Sequence, residues 1–235
     1  QWNQTNAFSR RIRAVFGRYS MALILPFTDT TCDRVLPDAR QVLDAHGVLA
    51  LPTETYYGLA VRPTDETALR RLIELKGRPS DKPILVLIGS LDQLPQLVQA
   101  IPPAAALLME QFWPGPLTIV FPAAPDLPAL LTAGTGTIGV RQAPLLQLQH
   151  LLRHTGPLTG TSANRSSEPP LDNAVAVQRA LGAGVDLILD GGHTPGGLPS
   201  TMVDARDRPH LLRAGALSTD LIRAALALQG YELSS

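Results

Sequence analysis

Three cations, Lys76, Arg78 and Lys82, fall within seven residues, interleaved with Gly77, Pro79 and Pro83. Cations spaced so closely can converge on a polyanion. Arginine offers a planar fork of donors for phosphate or carboxylate, and lysine a compact charge. Pro79 and Pro83 fix φ and reduce the entropy lost when such a loop orders around a ligand. An isolated Lys-Gly-Arg is more often a helix-end lysine beside a surface arginine; the flanking prolines shift the balance towards a site that holds phosphate.

Three further clusters carry polar groups of the right kind. Ser162-Ala-Asn164 follows Pro157-Leu-Thr-Gly-Thr161, read as the end of a strand, and its small hydroxyl and amide side chains can reach phosphate, ribose or carboxylate oxygens, or can simply cap a turn. Thr53-Glu-Thr55 and Ser200-Thr201 allow the same two readings. His150 and His154 have helical i,i+4 spacing, but no acid lies near them in sequence, so they read as a solvated helix face rather than a metal pair. The chain has neither the Gly-x-x-x-x-Gly-Lys-Ser/Thr loop nor a Gly-x-Gly-x-x-Gly after a strand, and no Gly-x-Ser-x-Gly elbow.

Alternating helices and strands must position these clusters. Apolar Leu36, Ala39, Val42 and Leu43 predict a helix over 35–46 stopped by Gly47, followed by a strand at 48–51. The polar, aromatic segment 53–59 then lies at a strand's carboxyl end, where ligands bind in open α/β sheets. A helix capped by Thr64 runs to Lys76, with Gly77 past its end. Further strands are expected at 84–88, 117–121, 138–141 and 185–189. Segments 200–204 and 210–213 read as a closing hairpin, and helices are expected after Pro102-Pro103, over 145–152, after Asp172 and after Ser218. This pattern predicts an α/β fold with a mixed sheet covered on both faces.

Composition narrows the function classes. Twenty Lys and Arg balance twenty Asp and Glu, so no whole-protein basic field exists for gripping nucleic acid, although a local patch remains open. The 45% hydrophobic content is that of a globular chain. One cysteine, Cys32, permits no intramolecular disulfide and no cysteine-based metal site. No apolar run approaches the roughly 20 residues of a membrane span. Residues 1–21 hold Arg10, Arg11, Arg13 and Arg18 without an acid and read as a basic, poorly ordered arm, with an organellar targeting peptide the lesser alternative. Residues 22–235 read as a single domain, expected in the cytoplasm.

The segments 51–59, Lys76-Gly-Arg-Pro-Ser-Asp-Lys-Pro83, Trp113-Pro-Gly-Pro-Leu-Thr118, Gly139-Val-Arg141, Thr161-Ser-Ala-Asn164, Gly196-Gly-Leu-Pro-Ser-Thr201 and Leu212-Arg-Ala-Gly215 occur in the order seen in the YrdC/TsaC family. Each motif alone is weak; the ordered set, over roughly residues 35–218, is specific. The resemblance implies a twisted α/β sheet with a concave basic cavity, of the short single-domain type. It implies synthesis of threonylcarbamoyl-AMP and pyrophosphate from L-threonine, bicarbonate and ATP, with Mg2+ carried by the triphosphate. The product would pass to a threonylcarbamoyl transferase complex that modifies tRNA.

The same resemblance implies roles for residues. Lys76 and Arg78 are the catalytic charges, and they bind ATP together with Ser80, Ser162, Asn164 and Arg213. Thr53, Thr55, Thr118, Arg141 and Ser200 are expected to bind L-threonine. The chain departs from the family pattern at Tyr56, Ala60, Leu87 and Arg165-Ser-Ser167. Two rival readings stand beside the enzyme: a double-stranded RNA or tRNA binding module without catalysis, and a paralogue acting on another carbamoyl-type substrate, as in hydrogenase maturation.

Overall fold

A computed structural model describes residues 21–77 and 82–235. The basic arm (but for Met21), Arg78 and Ser80 lie outside the described residues. In chain order the elements are β1 (Leu23–Pro26), α1 (Cys32–Asp44), β2 (Leu49–Pro52), β3 (Tyr57–Ala60), α2 (Glu66–Lys76) and β4 (Val86–Ile88). A 3-10 turn (Leu91–Gln96) leads to α3 (Pro103–Phe112), β5 (Leu117–Pro122), α4 (Ala129–Thr132), β6 (Thr137–Gln142) and α5 (Leu146–Thr155). Then come β7 (Leu158–Thr159), β8 (Thr161–Ser162), α6 (Ala174–Leu181), β9 (Leu187–Asp190), β10 (Thr201–Asp204), β11 (His210–Arg213) and α7 (Thr219–Ala227).

The expected mixed α/β architecture is present, divided over two sheets with the orders β1-β9-β2-β3-β8 and β11-β10-β5-β6-β4-β7. Both mix parallel and antiparallel pairs: β2 runs parallel to β9 and antiparallel to β3, and β5 runs parallel to β10 and antiparallel to β6. The predicted closing hairpin is the antiparallel pair β10–β11.

The chain passes from one sheet to the other at Gly160, which alone separates β7 from β8. A Cβ there would lie 2.5 Å from Leu87 Cγ, so only glycine lets the strand ends approach this closely. Leu87 itself is fully buried in the apolar cluster that includes Leu152 and Leu158.

Side-chain alternation explains why β2 is buried throughout. Leu49 and Leu51 enter the apolar cluster that holds Val35, Val42 and Leu148 of α1 and α5, whereas Ala50 enters the cluster of Leu69, Leu108, Val177 and Ile222. A strand buried on both faces reads as a continuous apolar run, as Leu-Ala-Leu does here.

Two expected caps shift by one residue. Asp65, not Thr64, caps α2, because its carboxylate accepts from Ala68 N at 3.0 Å and sits 2.7 Å from His46 Nδ1. Asn173, not Asp172, caps α6, accepting from Ala176 N at 2.8 Å. The segment 53–59, expected only as a polar, aromatic stretch at a strand's carboxyl end, carries β3, since Tyr57 and Leu59 are fully buried and pair across to β2. Strand β1 was not foreseen; its four residues pair in parallel with β9.

The fold also supplies His150 with the acid that local sequence lacks. Asp33 on α1 lies 2.7 Å from His150 Nε2 on α5, with Cys32 next to it. Among the described residues no helix is long and apolar enough to cross a membrane.

Candidate active site

A cavity of about 950 Å3 opens where the two sheets meet. The first sheet contributes Thr53, Thr55, Tyr56, Tyr57 and Gly58 at the β2–β3 turn and the Gly160–Ser162 crossing. The second contributes Gly139 and Arg141 of β6, Val120 of β5, and Ser200, Asp204, Leu212 and Arg213 around β10 and β11. Of the residues singled out from sequence, Thr53, Thr55, Arg141, Ser162, Ser200 and Arg213 come together on its wall.

The charge on that wall is partly buried. Arg141 is only 3% exposed, and its Nη1 lies 2.7 Å from Glu54 Oε1. Burial pulls its pKa down and the Glu54 charge pulls it back up, and an arginine remains protonated throughout. Arg213 donates from Nε and Nη2 to Ser200 O at 3.2 and 2.9 Å. Burial first, and then the nearby positive charge of Arg141, hold its pKa below the ordinary value. Both guanidiniums line the cavity, and the charge of Arg141 is felt at Arg213. Also on the wall, Arg206 grips Asp204: Nε donates to Oδ1 at 2.9 Å and to Oδ2 at 3.2 Å, Nη2 to Oδ2 at 2.7 Å, and the Arg206 backbone N to Oδ1 at 3.1 Å.

The hydroxyls are held by each other and by backbone. Thr53 Oγ1 donates to Tyr56 O at 2.7 Å and accepts from Thr55 N at 3.2 Å, closing the turn around Glu54. Thr118 is fully buried with its Oγ1 2.8 Å from Ser200 Oγ, so it stands behind Ser200 rather than on the cavity wall.

Lys76 ends α2, and its buried ammonium points at the Ser162-Ala-Asn164 turn. It donates to Ser162 O, to Asn164 O at 2.9 Å and to Asn164 Oδ1 at 3.1 Å. Ser162 Oγ donates to the same Asn164 oxygen at 2.6 Å, and Ser166 N donates back to Lys76 O at 2.8 Å. Lys76 and the Ser162-Ala-Asn164 cluster noted from sequence are thus joined, with Ser162 on the cavity wall and Lys76 and Asn164 outside its lining.

Consecutive residues Thr55, Tyr56 and Tyr57 tie down the glycine-rich segment 191–199. Thr55 O accepts from Gly196 N at 2.8 Å, Tyr56 Oη donates to Gly197 O at 2.9 Å, and Tyr57 Oη donates to Gly192 O at 2.8 Å. Gly196 and Gly197 adopt φ of +67° and +90°, which glycine alone adopts readily. Tyr56, a departure from the family pattern, is explained by this contact.

Burial, and then the charge of Asp190, push the Tyr57 hydroxyl up to about 12, against a pull the other way from the Gly191 N–H. The ordinary value is 10.0, so the unfolded chain ionises first as pH rises. Stability from this group is complete below pH 10 and declines through the folded value. Urea titrations at rising alkaline pH should therefore show Tyr57→Phe less stable at neutrality but with a shallower alkaline decline than wild type. Parallel declines would show that Tyr57 is not kept neutral by the fold.

Sequence reading missed Glu54, Asp204 and Arg206. Glu54 stood between two threonines that were noted, but nothing in its neighbourhood pointed to Arg141, 87 positions later. Asp204 and Arg206 gave no signal beyond ordinary surface charge.

The Sua5_yciO_yrdC family model, described as telomere recombination, matches residues 41–215. A threonylcarbamoyl-AMP synthase of Pyrococcus abyssi is 39% identical over 177 residues, covering 74% of this chain and 52% of the relative. One of Thiobacillus denitrificans is 38% identical over 169 residues, covering 72% of this chain and 89% of the relative. The structure of P. abyssi Sua5 complexed with L-threonine superposes with a TM-score of 0.80 at 32% identity, over 91% of this chain and 62% of that one. The chain thus spans about half the length of the archaeal relative and nearly all of the shorter bacterial one.

Proposed function

Since the chain belongs to the Sua5/YciO/YrdC family, we propose that it is a threonylcarbamoyl-AMP synthase, with residues 22–235 as one catalytic unit. The substrates are L-threonine, bicarbonate and ATP, the last with its Mg2+. The observation that carries the reading is the pairing of a buried guanidinium, Arg141, with Arg213 on a wall of threonine and serine hydroxyls. A small amino acid bearing one carboxylate and one hydroxyl suits that wall.

In this reading the threonine amine and bicarbonate give N-carboxythreonine with loss of water. Its new carboxylate attacks the α-phosphorus of ATP in line, forming the P–O bond of the adenylate while the bond to pyrophosphate breaks. No side-chain nucleophile is needed, so the protein acts by positioning and by charge stabilisation. Arg141 receives the threonine carboxylate, and Thr53, Thr55 and Ser200 offer hydroxyl partners, with Thr118 supporting Ser200. Ser162 presents its hydroxyl to the nucleotide, Lys76 and Asn164 hold that turn in shape, and Arg213 faces the carboxylate and phosphate that react. Arg78 and Ser80 complete the phosphate contacts. The adenylate then serves tRNA modification through a partner transferase.

Purified protein should release pyrophosphate only when ATP, bicarbonate and L-threonine are all present. Release that is equally fast without threonine, or with carbamoyl phosphate in place of bicarbonate and threonine, would overturn the reading.

A further inference from the structure

Glu54 is a buried carboxylate that the reaction as described leaves unused. Its side chain is 14% exposed and that of Arg141 is 4% exposed. The two charges approach to 2.7 Å, yet neither Glu54 oxygen nor Arg141 Nε has a hydrogen-bond partner. The contact is thus a charge contact without hydrogen-bond geometry. Burying a charge is costly unless an opposite charge compensates it. A pair left with unmet hydrogen-bond capacity at the wall of a cavity is an arrangement built for something besides stability.

The surroundings fix one partner and leave the other to face the ligand. Thr53 and Thr55 lock the β2–β3 turn through the Thr53 hydroxyl, so the backbone that carries Glu54 is held. Arg141 lines the cavity, whereas Glu54 does not. Arg213 adds a second positive charge near Arg141, which without a counter-charge would push the Arg141 guanidinium away.

We infer that Glu54 is the positioning residue of this site: it holds the Arg141 guanidinium against the repulsion of Arg213, in the orientation that receives the carboxylate of the amino-acid substrate. This rests on the threonine reading for the identity of that carboxylate, but not for the hold on Arg141. Glu54 acts through Arg141 and does not touch the reacting atoms. The nucleotide half of the site, at Ser162 and Lys76, is not addressed by it.

Two measurements on the same variants test this. Calorimetry with L-threonine and separately with ATP should show Glu54→Gln binding threonine at least tenfold more weakly, with ATP affinity within twofold of wild type. Glu54→Asp, which keeps the charge but not the length, should retain more threonine affinity than Glu54→Gln, which keeps the shape. A purely packing role would give the reverse order, and an unchanged threonine affinity in folded Glu54→Gln would overturn the inference.

The second measurement needs no substrate. In 15N-labelled protein the Arg141 guanidinium signal, identified by its loss in Arg141→Lys, should show slow rotation about its Cζ–Nε bond. That rotation should become fast in Glu54→Gln, and equal rotation in both proteins would overturn the inference. If wild type binds no threonine, the threonine reading fails while the guanidinium signal still decides the role of Glu54. Binding is measured well below each variant's melting temperature, and Glu54→Asp carries the test if Glu54→Gln does not fold.

Discussion

Replacing Arg141 by methionine should abolish threonine-dependent pyrophosphate release, by about 100-fold or more, and should destabilise the protein by about 3–5 kcal/mol. The two losses have different causes. Activity falls because the buried cation facing the cavity is gone. Stability falls because Glu54, whose carboxylate oxygens are sealed from solvent, is left with no opposite charge 2.7 Å away. Removing one member of a buried pair costs more than removing both. The double variant Arg141→Met/Glu54→Gln should therefore recover most of the lost stability in urea titrations while remaining inactive. A single variant as stable as wild type would show that the pair is solvated rather than buried. Recovered activity in the double variant would remove Arg141 from the substrate site.

Lys76→Met should cost about 3 kcal/mol, the scale of losing hydrogen bonds to a charged donor, and should weaken ATP binding by at least about tenfold. The ammonium is the common donor to Ser162 O, Asn164 O and Asn164 Oδ1, so its loss leaves the Ser-Ala-Asn turn without its central contact. Lys76→Arg should not substitute, because a planar fork cannot place one nitrogen among three oxygens that surround a compact ammonium. Chemical denaturation and ATP calorimetry check this. Wild-type values for both in Lys76→Met would mean that the turn holds its shape without the lysine. The expectation differs from a simple phosphate-contact role, which would lower ATP affinity and leave stability unchanged.

Much of the molecule is legible in the sequence. The helices α1 and α2 followed from apolar spacing, and the β10–β11 hairpin followed from two short apolar runs without a helix between them. Periodicity reports burial of one face, and that is a local property. It could not report β3, where a polar opening, Thr53-Glu-Thr55, hides a strand whose burial depends on pairing to β2 and β8. Nor could it separate one sheet from two, since the division turns on a single residue, Gly160, and on its approach to Leu87. The shift of the α2 cap from Thr64 to Asp65 has the same origin: both residue types cap well, and His46, brought in by the fold, sits against Asp65.

The opening trio Lys76, Arg78 and Lys82 was visible because its chemistry is contiguous: charge, glycine and proline occur together in seven residues. The ordered motifs likewise identified the family from sequence alone. What the sequence could not contain is who stands beside whom. Lys76 is turned to Ser162 and Asn164, more than eighty positions away, and Glu54 meets Arg141 from a different sheet. Electrostatic energy depends on distance and burial, and both are set by the meeting of the two sheets rather than by neighbours along the chain. The types of residue in the site were therefore decided by sequence, and their charges' partners only by the tertiary fold.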